Sequence, residues 1–487
     1  MTEKKESNKV LSNLIWRFAE RCGAQGVSFV VSIVLARILM PDDYGVIALI
    51  TIFMNILNVF VDSGMGNALI QKKDADDIDF SSVFYFNVFW CIILYFILFF
   101  VAPVISVFYQ KPELTPITRV LGITILISGV KNVQQAYVSK TLQFKRFFFS
   151  TLGGTIGAAI VGIVMAYQGF GVWALVAQQI FNISIDTIIL WITVKWRPKK
   201  VFSWERLKGL FSYGWKLLAS ALLDVGYNNL RQLIIGKVYS TEDLAYYTKG
   251  DQFPNLVVTN INSSIDSVLL PVISTEQENK EQVKLLTRRA ISTSSYIIWP
   301  MVIGLAACAE PFVRLVLTEK WIFCVPYLRV FCLIYGFWPV HTANLNAIKA
   351  VGRSDIFLKL EIIKKAIGLL SIIISIRYGV FAIAMASLII APLNVIINAT
   401  PNVTLLGYSY REQLRDMCPP MLLSGVMGIL VYVLSYLPIH DFYLLLLQIL
   451  SGVILYLLIS YLLKINVFVY LMEKFFKKNK SKCSDKI

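Results

Sequence analysis

The stretch Trp215 to Arg231, WKLLASALLDVGYNNLR, decides the class of this chain. It is long and apolar enough to cross a bilayer, yet it carries Lys216, Asp224 and Arg231. A charge at mid-bilayer costs roughly 2.5–3.5 kcal/mol on insertion scales, so these side chains need surroundings other than lipid. Lys216, Ser220, Asp224, Asn228 and Arg231 follow one another in steps of four, four, four and three, which on a helix makes one polar stripe. Such a stripe faces either partner helices, as a structural ion-pair network, or a hydrated cavity for a polar substrate. The spacing leaves both readings open.

Working outward, the 487 residues are 57% hydrophobic and 16% charged, with a mean hydropathy of +0.66. That is too apolar for a soluble protein and implies an all-α polytopic membrane protein. Apolar runs of about 20 residues predict about fourteen transmembrane helices, the first at 13–40 and the last at 441–463. A net charge of +16 raises the question of nucleic acid, but the Lys and Arg lie in short links between apolar runs and form no single patch, so no nucleic-acid partner is expected. The links alternate: roughly thirty Lys and Arg fall in one set and about four in the other, which predicts that both termini are cytoplasmic. The seven cysteines show no CxxC spacing and the two histidines, His341 and His440, stand far apart, so neither a disulfide, a metal nor any other cofactor is expected. Arg17, Glu20 and Arg21 interrupt the first apolar run, unlike a cleaved signal peptide, and the N-terminal segment is expected to be retained. In the link 195–209, Ser203 is placed as an N-cap ahead of Trp204, Leu207 and Phe211 on one face, which predicts an interfacial helix there.

The chain repeats itself. At an offset of 199, Trp16 lies over Trp215, Arg17 over Lys216, Arg21 over Ser220, Gln25 over Asp224 and Ser32 over Arg231. One residue later in register, ARILMPDDYG at 36–45 lies over GKVYSTEDLA at 236–245, and QGFGVWALV at 168–176 resembles RYGVFAIAM at 377–385. Parallel repeats predict two pseudo-symmetric six-helix lobes, residues 1–200 and 201–410, with two additional helices and a basic cytoplasmic tail over 411–487. The lobes are expected to move as bundles about the 195–209 link.

Polar stripes recur in both repeats. Arg17, Arg21, Gln25, Ser28 and Ser32 share a face of the first span; Thr51, Asn55, Asn58 and Asp62 mark the second; Asp251, Asn255, Thr259, Asn262 and Asp266 mark the eighth. Any one of them serves equally as helix–helix glue, but four at repeat-related positions point to a shared aqueous cavity. Cations in such a cavity suit a phosphate, which makes Arg17, Arg21, Lys216, Arg231 and Lys249 the candidate substrate-binding residues. Asp62, Asp224, Asp251 and Asp266 are candidates for ion pairs with those cations or for binding a coupling proton or sodium ion. Lys364 with Glu361 one turn away reads as a local ion pair.

The segments VLARILMPDDYGVIALITIF and FVDSGMGNALIQKKD, then YGWKLLAS, AYYTKGDQFPNL, SVLLPVIS and EKWIFCVPYLRV, resemble the polysaccharide exporters of the multidrug/oligosaccharidyl-lipid/polysaccharide superfamily. The resemblance covers nearly the whole chain. It implies a non-enzymatic flippase that moves an undecaprenyl-pyrophosphate-linked oligosaccharide from the cytoplasmic to the outer leaflet of the bacterial inner membrane, by alternating access, for a surface polysaccharide. Its partners would be that lipid-linked oligosaccharide and the membrane lipids. The alternatives are a multidrug or peptidoglycan-lipid-precursor exporter of the same superfamily, or a membrane enzyme of polysaccharide assembly. A cation exporter would want an acidic cavity, and an enzyme would want a large outer loop or an intramembrane His with partners.

Overall fold

Apolar segments of this length can satisfy their backbone N–H and C=O groups in lipid only as helices or closed barrels, and here they form helices. The computed structural model describes residues 2–62, 65–72, 74–141, 143–276, 278–470 and 472–473; the side chains of 2–15, 17, 18, 21, 213, 216, 217, 267, 268, 270, 271 and 354 are outside the description. Arg17, Arg21 and Lys216 are therefore placed by backbone only, and Cys483 lies outside the described residues. No strand occurs among the described residues.

By contact the chain divides into two compact units, Met1–Ala245 and Tyr246–Ile487. The first holds α1 (Thr2–Ile38), α2 (Pro41–Asp62), α3 (Met65–Gln71), α4 (Asp77–Tyr109), α5 (Leu114–Lys140), α6 (Phe144–Tyr167), α7 (Val172–Thr193) and α8 (Trp204–Val238). α9 (Thr241–Thr275) starts at its end and continues into the second unit. There follow α10 (Lys280–Ala307), α11 (Ala309–Val316), α12 (Val325–Tyr335), α13 (Trp338–Ala350), α14 (Ser354–Ser375), α15 (Val380–Leu406), α16 (Tyr410–Val433) and α17 (Asp441–Leu462). Ten helical segments are long and apolar enough to cross a membrane among the described residues. α1, α8, α9 and α14 are also long but carry the charges noted above, and the expectation of about fourteen spans rests on counting them.

The expected tenth span, 325–347, is broken into α12 and α13. Gly336 lies so close to Trp299 that a Cβ there would come within 2.6 Å of the ring, and Pro339 lacks the N–H a continuous helix would need. α10 begins nine residues earlier than the expected ninth span at 289–309, because Asn279 caps it by accepting from the Gln282 N–H at 3.2 Å.

α8 packs in the first unit, against α2, α3 and α4, although the sequence repeat starts its second half at residue 201. The repeat records which helices resemble each other; the contacts record which touch. The expected interfacial helix is the first turns of α8, which Ser203 caps as anticipated. At 35 residues α8 is about 52 Å long by the 1.5 Å rise per residue, well beyond a hydrocarbon core of about 30 Å.

The 195–209 link, expected as a pivot, is strapped to the first unit. The Lys199 and Ser203 N–H groups each donate to a hydroxyl of α4, Ser81 and Ser82, at 2.9 Å. Trp196 Nε1 donates to Asp77 at 3.2 Å and Gln134 of α5 donates to the Trp196 carbonyl at 3.1 Å. Arg206 then pairs with Asp76 at 2.6 Å, and Lys72 with the buried Asp79 at 2.7 Å. The Asp76 carboxyl is held down at about 2, first by the Asp79 N–H it accepts as N-cap of α4 and then by the Arg206 guanidinium.

The repeat is legible in side-chain geometry. Asp43 accepts from the Met40 N–H at 3.0 Å, and Asp243, 200 residues on, accepts from the Ser240 N–H at 3.3 Å. Arg119 of α5 donates through Nε to the Phe99 carbonyl of α4 at 3.3 Å; Arg329 of α12, 210 residues on, donates through Nε to the Ala306 carbonyl of α10 at the same distance. Gly171 and Gly379, at φ of 55° and 103°, precede α7 and α15, where the QGFG and RYG turns need backbone conformations that side-chain-bearing residues rarely adopt.

Candidate functional site: a polar wedge in the first unit

α2 and α8 run antiparallel and diverge. At the end carrying the α1–α2 turn, Gly45 abuts α9's first residue so tightly that a Cβ would fall on the Thr241 carbonyl oxygen, and a Cβ at Gly236 would fall on the Leu49 side chain. Thr241 also donates its hydroxyl to Asp42, which Lys111 neutralises at 2.8 Å. Further along, Asn55 donates to Asn229 at 3.4 Å. Beyond that pair the helices part around a cavity of about 310 Å³ whose polar walls are Asn58, Asp62 and Asn228 with the same two asparagines.

Ser220, Asp224 and Asn228 of α8 are exposed, as are Gln25 and Ser28 of α1. Arg231 is half-buried, and its Nε is buried without a hydrogen-bond partner among the described residues. Asp62 accepts a hydrogen bond from Asn132 of α5 at 2.9 Å.

The remaining candidates, Lys249, Asp251 and Asp266, belong to the second unit. Lys249 lies in the second unit, only 4% exposed, donating to Gln252 at 3.0 Å and standing 5.6 Å over the Trp321 ring. That is the packing of a buried cation against an aromatic face. Asp251 accepts the Tyr335 hydroxyl at 2.9 Å, and Asp266 accepts Asn346 of α13 at 2.7 Å. Lys364 pairs with Glu361 at 2.5 Å, as its spacing suggests.

Two residues missed from the sequence stand close by. Lys131 of α5 and Asp186 of α7 pair at 3.0 Å, both largely buried. Each is a charge inside an apolar span, which is the signal that should have raised them. Lys131 lines a second cavity of about 370 Å³ between α2, α5 and α7, which shares Asn55 and Asn58 with the first.

Comparison with known proteins assigns the chain. A family model described as polysaccharide biosynthesis protein matches residues 34–326. The chain belongs to that family. Among curated relatives of this polysaccharide biosynthesis protein, the teichuronic acid biosynthesis protein TuaB of Bacillus subtilis (strain 168) is 24% identical over 79% of this chain and 80% of its own length. The succinoglycan biosynthesis transport protein ExoT of Rhizobium meliloti (strain 1021) is 22% identical over 90% of both chains. The lipopolysaccharide biosynthesis protein WzxC of Escherichia coli (strain K12) is 21% identical over 85% of both. In fold, the family member is similar to the lipid II flippase MurJ in an inward closed conformation, with a TM-score of 0.74 at 16% identity over 92% of this chain and 98% of that one. An inward-facing multidrug resistance MATE family transporter follows at 0.59 and 16% identity, over 79% and 95%. The protein is a multi-pass membrane protein of polysaccharide biosynthesis with the helical architecture of these transporters.

Proposed function

We propose that the protein is a flippase that carries an undecaprenyl-pyrophosphate-linked oligosaccharide from the cytoplasmic to the outer leaflet of the bacterial inner membrane for assembly of a surface polysaccharide. The observation that carries this reading is the α2–α8 wedge, tight at one end and open and polar at the other, in a chain whose relatives are named for polysaccharide biosynthesis and transport. Lobes 1–200 and 201–410 alternate access, 411–487 stands outside them, and both termini are cytoplasmic. Arg17 and Arg21 of α1, Lys216 and Arg231 of α8 and Lys249 of α9 take the pyrophosphate. Asp62, Asp224, Asp251 and Asp266 supply ion pairs or bind a coupling proton or sodium ion. No nucleotide is consumed and no bond is made or broken.

Lys216 and Arg231 lie about 22 Å apart along one helix by the 1.5 Å rise per residue, with Asp224 nearly midway, so they suit successive stations for one phosphate group. Lys216→Gln and Arg231→Gln are expected to abolish delivery of the lipid-linked oligosaccharide at near-normal protein level, and Arg231→Lys to retain part of it. The measurement is accumulation of lipid-linked repeat units on the cytoplasmic face, with membrane abundance as control. Normal flipping by both Gln variants would sink the station idea and return the stripe to a structural ion-pair network.

A further inference from the structure

The second cavity of the first unit has a chemistry unlike the cationic stripe. Its polar wall is made of Asn55 and Asn58 from α2, Ser128 from α5 and Gln178, Gln179 and Asn182 from α7. Lys131, the one cation of that wall, is tied to Asp186 at 3.0 Å, so the pair brings no net charge. About 370 Å³ of space falls within the range of roughly 300–1,000 Å³ typical of small-molecule sites.

If these amides were glue between helices, they would be bonded across the gap. The second unit shows what that looks like: Asn402 donates to Asn344 at 2.7 Å and Asn344 to Gln413 at 3.0 Å, all three buried. In the first unit the side chains of Asn58, Gln178, Gln179 and Asn182 make no hydrogen bond to another described residue, and they border open space. An amide carries both donors and an acceptor, as a sugar hydroxyl does, whereas a pyrophosphate only accepts and prefers cations. A neutral wall of unpaired amides therefore discriminates against the anionic end of a lipid-linked saccharide and in favour of its sugar.

We propose that this cavity is a saccharide subsite, in which uncharged sugar hydroxyls are held by the amides of α2 and α7 while the pyrophosphate stays with the cations of α1 and α8. The shared residues Asn55 and Asn58 make it continuous with the α2–α8 wedge. The assignment rests on the flippase reading and adds to it the part of the substrate that α7 recognises.

The test uses the full-length protein in nanodiscs and two probes: the lipid-linked saccharide that accumulates in cells lacking this gene, and undecaprenyl pyrophosphate without sugar. Wild type is expected to bind the glycosylated probe more tightly. The double variant Gln178→Leu with Asn182→Leu is expected to weaken that binding about tenfold, the worth of one or two neutral hydrogen bonds, while binding of the bare lipid is unchanged. Gln178→Met, close in shape and apolar, is expected to lose about threefold on the glycosylated probe only. Equal weakening on both probes, no weakening on either, or failure of both variants to reach the membrane at normal level would assign the amides to packing and overturn the subsite. Binding of neither probe by wild type would bring down the flippase reading itself, a different result from the loss of sugar selectivity alone.

Discussion

In the first half of the repeat Asp62 accepts a hydrogen bond from Asn132, and in the second half Asp266 accepts one from Asn346, at 2.9 and 2.7 Å. Arg119 and Arg329 tie equivalent helices through equivalent carbonyls. The halves separate at the next layer. α5 and α7 are joined by the charged pair Lys131 and Asp186 beside a wall of unpaired amides, whereas α13 and α15, opposite them in the repeat, are joined by the neutral pair His341 and Asn398 at 3.0 Å beside amides that bond each other. Duplicated joints keep each bundle together, and the polar residues between the joints are free to diverge into a cavity in one half and a bonded network in the other.

The largest expected effect breaks this contrast at its charged member. Lys131→Leu leaves Asp186 buried opposite an apolar side chain, which should cost about 3–5 kcal/mol, while His341→Leu removes a neutral bond for about 1–3 kcal/mol. Lys131→Leu combined with Asp186→Leu should recover most of the first loss. Thermal unfolding in detergent reads both; equal losses at the two positions would erase the distinction.

A smaller effect is expected where the repeat places Gly45 against Ala245. Gly45→Ala should cost about 1–3 kcal/mol by pushing α2 off the Thr241 backbone, and Ala245→Gly no more than about 1 kcal/mol. A wild-type melting temperature for Gly45→Ala would show that the tight end of the wedge yields easily.

Arg119→Ala and Arg329→Ala should each cost about 1.5 kcal/mol, and by the same amount, since each loses a hydrogen bond to a carbonyl of the preceding long helix. A loss at one site alone would mean that the symmetry is one of position and not of energy.

The smallest effect concerns Asp76. Its carboxyl is held at about 2, below the usual carboxylate range, so the stabilisation it gives is present above about pH 4 and is lost as pH falls towards 2. The stability difference between wild type and Asp76→Asn should therefore shrink over that interval. A difference independent of pH would assign the effect to shape.

Most spans were legible because hydropathy and length read out directly the cost of leaving a backbone unpaired in lipid. The α8 stripe was legible because residues spaced three and four apart share one face of a helix of period 3.6. Lys131 and Asp186 went unread because neither belongs to a stripe: the other cations of α5, Arg119 and Lys140, stand twelve and nine residues from Lys131, and Asp186 is the one charge of α7. Gln178, Gln179 and Asn182 carry no charge, so only the shape of the cavity reveals them. The Trp321 ring over which Lys249 stands is distant in sequence, so that contact was not legible. α8 opens the second repeat by likeness of sequence, while its contacts with α2, α3 and α4 are tertiary and so were not legible.

The strap across residues 195–209 bears on how the protein is made. Its anchoring side chains, on Asp77, Ser81, Ser82 and Gln134, all precede it in the chain, so at synthesis they have left the ribosome before the link does. The seat for the start of α8 thus exists before α8 itself. Every group that fixes where that helix begins lies at or before the link, and none belongs to the two hundred and more residues still to come.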